Sequence, residues 1–195
     1  MAVCLGKTSE TFSVMAVARF APVDVVSAPD LTITEYIGRV ASSHTDLSAC
    51  VATVRGKTQE APQTPAFDEY VLVLEGCVEI VHDGQMESFQ AGESFFLKRG
   101  TRVQWRWPGP CKYVPICLPA FSPENCGREV EDPSQPLAKT EESMARLRQL
   151  HALASASREQ TGTAVSVRYE VTFGFYIGAA LGVALGAAGV RLLRR

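Results

Sequence analysis

The sequence predicts a mainly β domain, a barrel of antiparallel strands, followed by an amphipathic helix and one C-terminal transmembrane helix. Short apolar runs between glycine turns predict the strands, an apolar stripe at helical spacing predicts the amphipathic helix, and a long uncharged segment predicts the membrane span. These observations divide the chain into an N-terminal extension (1–29), the barrel (30–131), a linker with the amphipathic helix (132–170), the transmembrane helix (171–190) and a basic tail (191–195).

The predicted strands are bounded by turn residues. The apolar run YVLVLEG at 70–76 precedes an HDG turn at 82–84, and the run AGESFFL at 91–97 precedes a KRGT turn at 98–101. Short runs rich in β-branched and aromatic residues between glycine-containing turns are typical of hairpins. This region therefore predicts consecutive antiparallel strands.

Two regularly spaced glycine patterns lie within the barrel region. In the first, five residues separate Gly56 from Pro62, and Thr64, Glu69 and Gly76 follow. The second pattern reads, in order, Gly92, Lys98, Gly100, Val103 and Trp107.

These patterns resemble the two motifs of the cupins, which are double-stranded antiparallel barrels of the RmlC-like, jelly-roll type. Cupin motifs place metal-binding histidines at the positions of Pro62, Thr64 and Val103, and a carboxylate at that of Glu69, so only Glu69 is retained. The sequence FDEYVLVLEG…AGESFFLKRGTRVQW…PAF is similar to that of the ethanolamine-utilisation Q-type branch of the cupins, which also lacks the histidines. The resemblance covers residues 30–131 and implies a degenerate, metal-free cupin.

Strand periodicity predicts which side chains face the interior of the barrel, since alternate residues share one face. With position 103 facing inward, Thr101, Val103, Trp105 and Trp107 share the inner face. We therefore expect an apolar plug where metal-binding cupins hold their ion. The candidates for lining any ligand pocket are Glu69, Val103, Trp105, Trp107 and Tyr113.

Glu69 faces inward with Val71 and Val73 by the same alternation. A buried, isolated charge costs several kcal/mol, so Glu69 needs a partner, with Tyr113 or Arg55 as candidates, or it is protonated. Two interpretations remain open: a general acid or base with a raised pKa, and a hydrogen-bonded structural carboxylate. The structural interpretation is favoured, and no catalytic residue is assigned.

Metal-dependent chemistry is disfavoured. A transition-metal site needs three or four nitrogen, oxygen or sulfur ligands that converge on one point. The three histidines, His44, His82 and His151, fall in a predicted loop, a turn and a helix. We expect them at the surface, and we expect no metal and no other cofactor.

The segment from Val171 to Val190 contains no charged residue. At a rise of about 1.5 Å per residue, a helix of this length spans a hydrocarbon layer of about 30 Å. The alternative is a buried, glycine- and alanine-rich helix of a soluble domain. Small residues at every fourth position let a second helix approach closely in lipid, and here they are Gly174, Gly178, Gly182 and Gly186. The predicted partners are the lipid bilayer and other transmembrane subunits.

The position of this segment near the C-terminus is that of a tail-anchored protein or of an imported single-span subunit. The N-terminus lacks the cationic start and continuous apolar stretch of a secretory signal, and its composition is a weak match to an organellar presequence. The expected location is an organellar membrane, with the mitochondrial inner membrane favoured and the plastid thylakoid or the mitochondrial outer membrane as alternatives.

Composition disfavours nucleic acid as a partner and does not decide whether the cysteines are reduced or form a disulfide. The net charge of −2 provides no basic excess for nucleic acid. The six cysteines have no C-x-x-C spacing, and reduced thiols are favoured over a disulfide such as Cys117 to Cys126.

The segment TEESMARLRQLHALASASRE predicts the amphipathic helix. Thr140 is a candidate N-cap, and acidic residues follow in the first turn. Apolar residues recur at helical spacing at Met144, Leu147, Leu150 and Leu153. This stripe predicts packing against the barrel, with docking to a neighbouring subunit as the alternative.

Two functions remain. The favoured one is a non-catalytic, membrane-anchored cupin that serves as an accessory subunit of an organellar complex, with the respiratory chain as the expected machinery. The alternative follows from the resemblance: a metal-independent small-molecule binder or acetate-kinase-like enzyme of the ethanolamine-utilisation Q-type branch. No glycine-rich phosphate loop of the G-x-x-x-x-G-K-[ST] kind is present.

Overall fold

The computed structural model describes residues 17–129 and 137–161. Within them, strands alternate with short turns and a single helix follows. The elements are β1 (Val23–Ser27), β2 (Leu31–Ile37), β3 (Ser48–Val54), β4 (Thr58–Gln59), β5 (Asp68–Glu75), β6 (Cys77–His82), β7 (Gln85–Gln90), β8 (Ser94–Leu97), β9 (Gln104–Trp107), β10 (Cys111–Leu118) and α1 (Glu141–Thr161).

The strands form two antiparallel sheets. The six-stranded sheet has the order β1-β2-β3-β10-β5-β8, and the four-stranded sheet has the order β4-β9-β6-β7. Strand β10 lies between β3 and β5 although it is the last strand in sequence, so the chain returns to the centre of the first sheet after building the second. The predicted mainly β architecture with one helix is confirmed.

Both sheets contribute to one hydrophobic core. Val71 and Val73 of β5 are at most 2% exposed, as are Val78 and Ile80 of β6 and Trp107 of β9. The alternation predicted for β5 holds on this inner face. On its outer face, Tyr70, Leu72 and Leu74 are exposed, because none of the described elements covers that side of the sheet.

A glycine is required at the turn between β5 and β6. Gly76 has φ of 73°, and a Cβ atom there would lie 2.1 Å from the carbonyl oxygen of Pro110. Only glycine combines this conformation with such a close approach of two backbones. This glycine of the first motif is therefore structural.

The barrel begins earlier than predicted. The boundary expected at residue 30 is wrong, because β1 pairs with β2 and closes one edge of the six-stranded sheet. Val25 and Val26 of β1 are at most 4% exposed. The alternating run at 23–27 is thus part of the core and not part of an extension.

The predicted amphipathic helix is present as α1. Thr140 caps it, since its Oγ1 accepts a hydrogen bond of 3.2 Å from the backbone N–H of Ser143. Met144 and Leu147 are buried in the core of the barrel, but Leu153 is 61% exposed. Leu153 lies two and a half turns from Met144, on the opposite face of the helix, so its assignment to the packed stripe is wrong.

No helix in the part of the chain that the structure describes is long and apolar enough to cross a membrane. The predicted span at 171–190, its glycines at 174, 178, 182 and 186, and the basic tail lie outside the described residues, as does the segment 1–16. The anchor and its packing surface therefore stay predictions from the sequence.

Candidate functional site

A β-bulge shapes one wall of the barrel interior. The backbone N–H of Glu60 donates to the carbonyl oxygen of Trp105 at 2.9 Å, and Gln63 and Val103 exchange two backbone hydrogen bonds of 2.9 Å. Two residues separate Glu60 from Gln63, whereas only one residue separates Val103 from Trp105 on the opposite strand. An extra residue of this kind is a β-bulge.

The bulge displaces the predicted metal-ligand positions. Thr64 is exposed and Pro62 is half-buried, whereas Glu60 and Gln63 line the interior. The expectation that residues 62 and 64 occupy the histidine positions in space is wrong. It was made by counting residues along the cupin motif without a gap, and that count takes no account of the extra residue in the bulge.

The two sheets, together with residues before and within α1, enclose a cavity. It has about 70 Å³ of room for the centres of water-sized molecules, and about 10–15 Å³ holds one water. Its polar lining comprises Glu35, Ser48, Cys50, Glu60, Gln63, Glu69, Tyr113, Cys117 and Lys139. Nine apolar side chains, Trp105 and Trp107 among them, complete the lining, so the expected apolar plug is incomplete and not absent. Most of the polar side chains come from outside the two motifs.

Three aromatic rings form part of the cavity wall. The ring centroid of Trp105 lies 6.1 Å from that of Trp107 and 5.5 Å from that of Tyr113, and the interplanar angles are 28° and 22°. Stacked rings at such distances attract one another. Trp105 and Trp107 face inward as the strand alternation predicts, and the pocket candidate Tyr113 also lines the cavity, whereas Val103, also buried, does not.

Among the residues that the structure describes, no charged side chain is in direct contact with Glu69. The Cys117 thiol donates to its Oε1 at 3.9 Å, and its Oε2 has no hydrogen-bond partner among the described residues. Burial raises the pKa of Glu69 to about 7, and the charge of Lys139 opposes this rise. The expected partner Arg55 instead donates to the hydroxyl of Thr32 at 2.7 Å. The raised pKa agrees with the acid–base interpretation, whose catalytic role stays a prediction.

Glu60, in contrast, is held by two cations. Its Oε2 contacts the guanidinium of Arg128, and its Oε1 lies 3.4 Å from the Nζ of Lys139. Arg128 also donates to the carbonyl oxygen of Lys139 at 3.4 Å. These contacts fasten the segment that precedes α1 to the barrel.

Glu35 is a third buried carboxylate, and backbone groups stabilise it. Its Oε1 accepts hydrogen bonds of 2.8 Å from the N–H groups of Val40 and Ala41. A Cβ atom at Gly38 would lie 2.5 Å from the carboxyl carbon of Glu35. The turn after β2 therefore accommodates this carboxylate only because residue 38 is glycine.

The thiols in the cavity wall remain protonated. Burial, followed by the charges of Glu35 and Glu69, raises the pKa of Cys50, and burial with the charge of Glu69 raises that of Cys117. A thiol nucleophile needs a lowered pKa, so neither is suited to that role. The cysteines that the structure describes are all free: Cys50, Cys77, Cys111, Cys117 and Cys126.

The histidines do not form a site. His151 is 6% exposed and its ring lies edge-on to Phe121, with centroids 6.1 Å apart. The expectation of a surface position is therefore wrong for His151, because it falls on the same helix face as Leu147. Burial lowers the pKa of His151 to about 4. Across residues 17–129 and 137–161, no group of three or more His, Cys, Asp or Glu could hold a metal ion.

Four polar atoms of the cavity wall have no hydrogen-bond partner in the described part of the chain. One of them, the Oε1 of Glu60, has its ion pair with Lys139. The other three are the Oε2 of Glu69 and the indole Nε1 of Trp105 and of Trp107. More than nine-tenths of buried polar groups in proteins are hydrogen-bonded. A small molecule with both donor and acceptor groups could satisfy all three atoms.

Sequence reasoning did not assign seven polar residues to this cavity: Glu35, Ser48, Cys50, Glu60, Gln63, Cys117 and Lys139. Glu35 could have been found, since it shares the alternation of Leu31 and Ile33 in β2. The position of Lys139 depends on how α1 packs, which no local pattern indicates.

A family model described as "Ethanolamine utilisation protein EutQ" matches residues 6–122 of the chain. The match covers more than half of the sequence and includes every strand of the barrel.

Two curated relatives match shorter stretches. The chain is 37% identical over 103 residues to "Endoribonuclease YbeY" of Myxococcus xanthus, covering 52% of this chain and 35% of that protein. It is 30% identical over 54 residues to "Acetate kinase EutQ" of Clostridioides difficile, covering 28% of this chain and 34% of that protein. The chain thus spans about a third of the length of each relative.

Among solved structures, a crystal structure of an ethanolamine utilization protein Q from Salmonella typhimurium LT2 superposes with a TM-score of 0.42. The two sequences are 21% identical, and the superposition covers 47% of this chain and 71% of the other.

Proposed function

The chain belongs to the EutQ family of ethanolamine utilisation proteins within the cupin superfamily, and we propose that its barrel cavity binds a small polar molecule without a metal ion. The observation that carries this proposal is the set of buried polar atoms in the cavity wall that have no hydrogen-bond partner among the described residues. Each buried polar group without a partner costs about 1–3 kcal/mol. A bound molecule that pairs with these groups recovers that free energy.

The lining supports metal independence. Pro62 and Thr64 do not line the cavity, Val103 has no donor group in its side chain, and Glu60 is already paired with two cations. A transition-metal site needs three or four converging ligands, and no group of three or more His, Cys, Asp or Glu in the described part of the chain is placed to hold a metal ion.

The accessory-subunit function favoured from the sequence is not carried forward. The family match and the relative named for acetate kinase favour the alternative, and no observation supports a respiratory or organellar role. The organellar location remains a prediction from the sequence.

The test is a screen of small polar molecules against the full chain in the presence of a metal chelator. The chain has two tryptophans, and both line the cavity, so their fluorescence reports on this site alone. We expect at least one molecule to change the emission, and we expect its affinity to be unaffected by the chelator.

Two variants make the screen specific for the cavity. Cys50→Leu fills part of the cavity, whereas Val51→Phe adds similar bulk on the opposite face of β3. Binding should be lost in the first variant and kept in the second. Binding that survives in both variants, or that the chelator abolishes, would contradict the proposal.

An acetate-kinase-like activity is a second candidate, favoured by the similarity to the Clostridioides difficile protein of that name. Electrostatics oppose it, because acetate would enter a cavity with three carboxylates and one lysine. The assay is formation of acetyl phosphate from acetate and ATP by the full chain. Turnover that Glu69→Gln abolishes would favour this candidate over simple binding.

The name of the Myxococcus xanthus relative does not suggest a function for this chain. The similarity covers 35% of that protein, and the net charge of −2 does not favour binding to a polyanion such as RNA.

A further inference from the structure

The outer side of the six-stranded sheet carries a continuous apolar surface on strands β10, β5 and β8. Alternate residues of each strand point to this side, because successive side chains of a strand face opposite ways. Tyr70, Leu72 and Phe96 are between 43% and 52% exposed. We call this surface the apolar face, and we define it by Tyr70, Leu72, Leu74, Phe96, Val114 and Ile116.

Cross-strand pairing makes the apolar face continuous. Tyr70 lies opposite Ile116 of β10 on one side and opposite Phe96 of β8 on the other. The ring centroids of Tyr70 and Phe96 are 4.8 Å apart, and Leu72 pairs with Val114. Among these side chains lies a shallow depression with about 360 Å³ of room for the centres of water-sized molecules. An apolar side chain of a partner can enter it.

The size of this surface is that of an interface. With the outward residues of β3, which are uncharged, it spans four neighbouring strands. At about 4.8 Å between strands and about 3.3 Å per residue, its flat footprint is about 400 Å². Apolar patches of this size on monomers are often functional. Two such footprints, with projecting side chains, bring the buried accessible surface to the range of about 1,000 Å² that a specific interface needs.

The charges at the ends of the apolar face favour a second copy over other partners. One end carries Lys112 opposite Glu75, and the other carries the ion pair of Asp68 with Arg99, whose Oδ2 and Nη2 are 2.6 Å apart. Each end therefore has both signs and no net charge. A strongly acidic or basic partner, or an anionic lipid surface, meets no excess of opposite charge here. A second copy meets no excess of like charge.

We propose that two copies of this chain associate through their apolar faces. The same surface serves on both copies, as in the two-fold dimers that are the commonest oligomers. Association removes Tyr70, Leu72 and Phe96 from water, which is favourable for apolar side chains. The cavity lies on the other side of the sheet, so association does not require it to be filled.

The experiment measures the mass of the full chain by sedimentation equilibrium over a range of protein concentrations. A nonionic detergent is included because residues 171–190 are uncharged and mostly apolar, and the solvent density is matched to the detergent so that only protein mass is measured. We expect a reversible transition from 21.1 kDa to twice that mass. A chain that stays monomeric at every concentration would overturn the proposal, because something other than a second copy then covers the face.

Leu72 is the position to change, because it lies in the middle of the apolar face between Val114 and Ser94. Leu72→Glu should raise the dissociation constant of the dimer at least about a hundredfold, since the contact would bury a charge without a partner. Met86→Glu is the matched control. Met86 is 55% exposed on β7 of the other sheet, and its variant should dimerise as the wild type does.

Two results with these variants speak against the proposal. A dimer that persists in Leu72→Glu forms elsewhere on the chain, the segment 171–190 included. Equal loss of the dimer in Met86→Glu means that the effect does not belong to the apolar face. Wild-type tryptophan emission and far-UV circular dichroism verify folding, which an already exposed position permits. Leu74→Glu, 42% exposed before substitution, gives the same test at a second position of the face.

A mixture of two variants tests whether the face meets itself. Leu72→Glu and Leu72→Lys should each be monomeric alone. Their equal mixture should associate at least about tenfold more tightly than either alone, because opposite charges then meet across the contact. A mixture that associates no better than its components would show that the apolar face meets a different surface of the second copy, and the face-to-face arrangement would be wrong.

Discussion

Glu69 couples the stability of the protein to pH. Burial raises its pKa from 4.5 to about 7. As the pH rises, the unfolded chain releases this proton near pH 4.5, whereas the folded protein keeps it until about pH 7. The folded state therefore binds more protons in this window, and its contribution to stability is lost as the pH rises from about 4.5 to 7.

Replacing Glu69 with glutamine should remove this loss. We expect the free energy of unfolding of Glu69→Gln, relative to wild type, to increase by about 3 kcal/mol between pH 4.5 and 7, since one pKa unit corresponds to about 1.4 kcal/mol. Urea unfolding at intervals across this range measures the difference. Glu75→Gln, an exposed position at the end of the same strand, is the control and should show no such trend. A difference that does not change with pH would mean that Glu69 titrates alike in both states.

Whether a single side chain faces the interior was predictable where the strands are regular. Alternation along β5 and β9 placed Glu69, Trp105 and Trp107 on the inner face, because their hydrogen-bond ladders contain no extra residue at those positions. Glu60 and Gln63 were missed, because they lie on either side of a bulge that only the pairing with β9 reveals.

Helix α1 acts as one wall of the site and as part of the core. Leu147 is fully buried and lines the cavity, whereas Leu153 on the opposite face is 61% exposed. The two leucines therefore make a matched pair within one helix, with the same chemistry and different burial.

Leu147→Ala should destabilise the protein by about 2–5 kcal/mol, the usual range for a buried leucine. Leu153→Ala should change the free energy of unfolding by less than about 0.5 kcal/mol, as is normal for exposed positions. Urea denaturation followed by tryptophan fluorescence measures both. Equal stability of the two variants would show that α1 does not pack on the barrel through Leu147.

The existence of α1 was predictable, but its orientation was predicted only in part. The cap at Thr140 and the burial of Met144 follow from local pattern. The pattern of leucines predicted that the buried face extends to Leu153. In the structure His151 is buried at the end of this face, and Leu153 is exposed.

Across the whole molecule, two buried groups affect stability in opposite directions over nearly the same pH range. Burial lowers the pKa of His151 from 6.5 to about 4. As the pH falls through this range, the unfolded chain takes up the proton first, so stability falls towards acid. The loss at Glu69 occurs as the pH rises, and the two contributions largely cancel between about pH 4.5 and 6.5.

Removing either group should expose the contribution of the other. Relative to wild type, His151→Asn should lose stability as the pH rises from 4.5 to 6.5, with a change in slope of about 1.4 kcal/mol per pH unit. The double variant with Glu69→Gln should regain the wild-type slope. Thermal or urea unfolding across the range tests this, with the exposed His44→Asn as control. A wild-type slope in His151→Asn would show that His151 is protonated to the same extent in both states.

The overall fold was predictable because the glycines that permit its tight turns occur at fixed spacing. Gly76, Gly92 and Gly100 all have positive φ angles. The cavity was not predictable, because its chemistry depends on contacts between segments far apart in sequence, such as Lys139 with Glu60. Local patterns contain no information about such pairs.

The extra residue between Glu60 and Gln63 also limits how this barrel could be re-engineered. In a regular ladder, residue 62 would lie opposite Val103 and face inward with its partner, and residue 64 would follow on the same face. Here the bulge turns Thr64 outward. Grafting histidines at 62 and 64 would therefore place at least one imidazole in solvent, because position 63 is the one that lies opposite Val103 and lines the cavity. Any metal-binding design in this barrel therefore has to choose its positions from the strand pairing at the bulge and not from the count of residues along the motif.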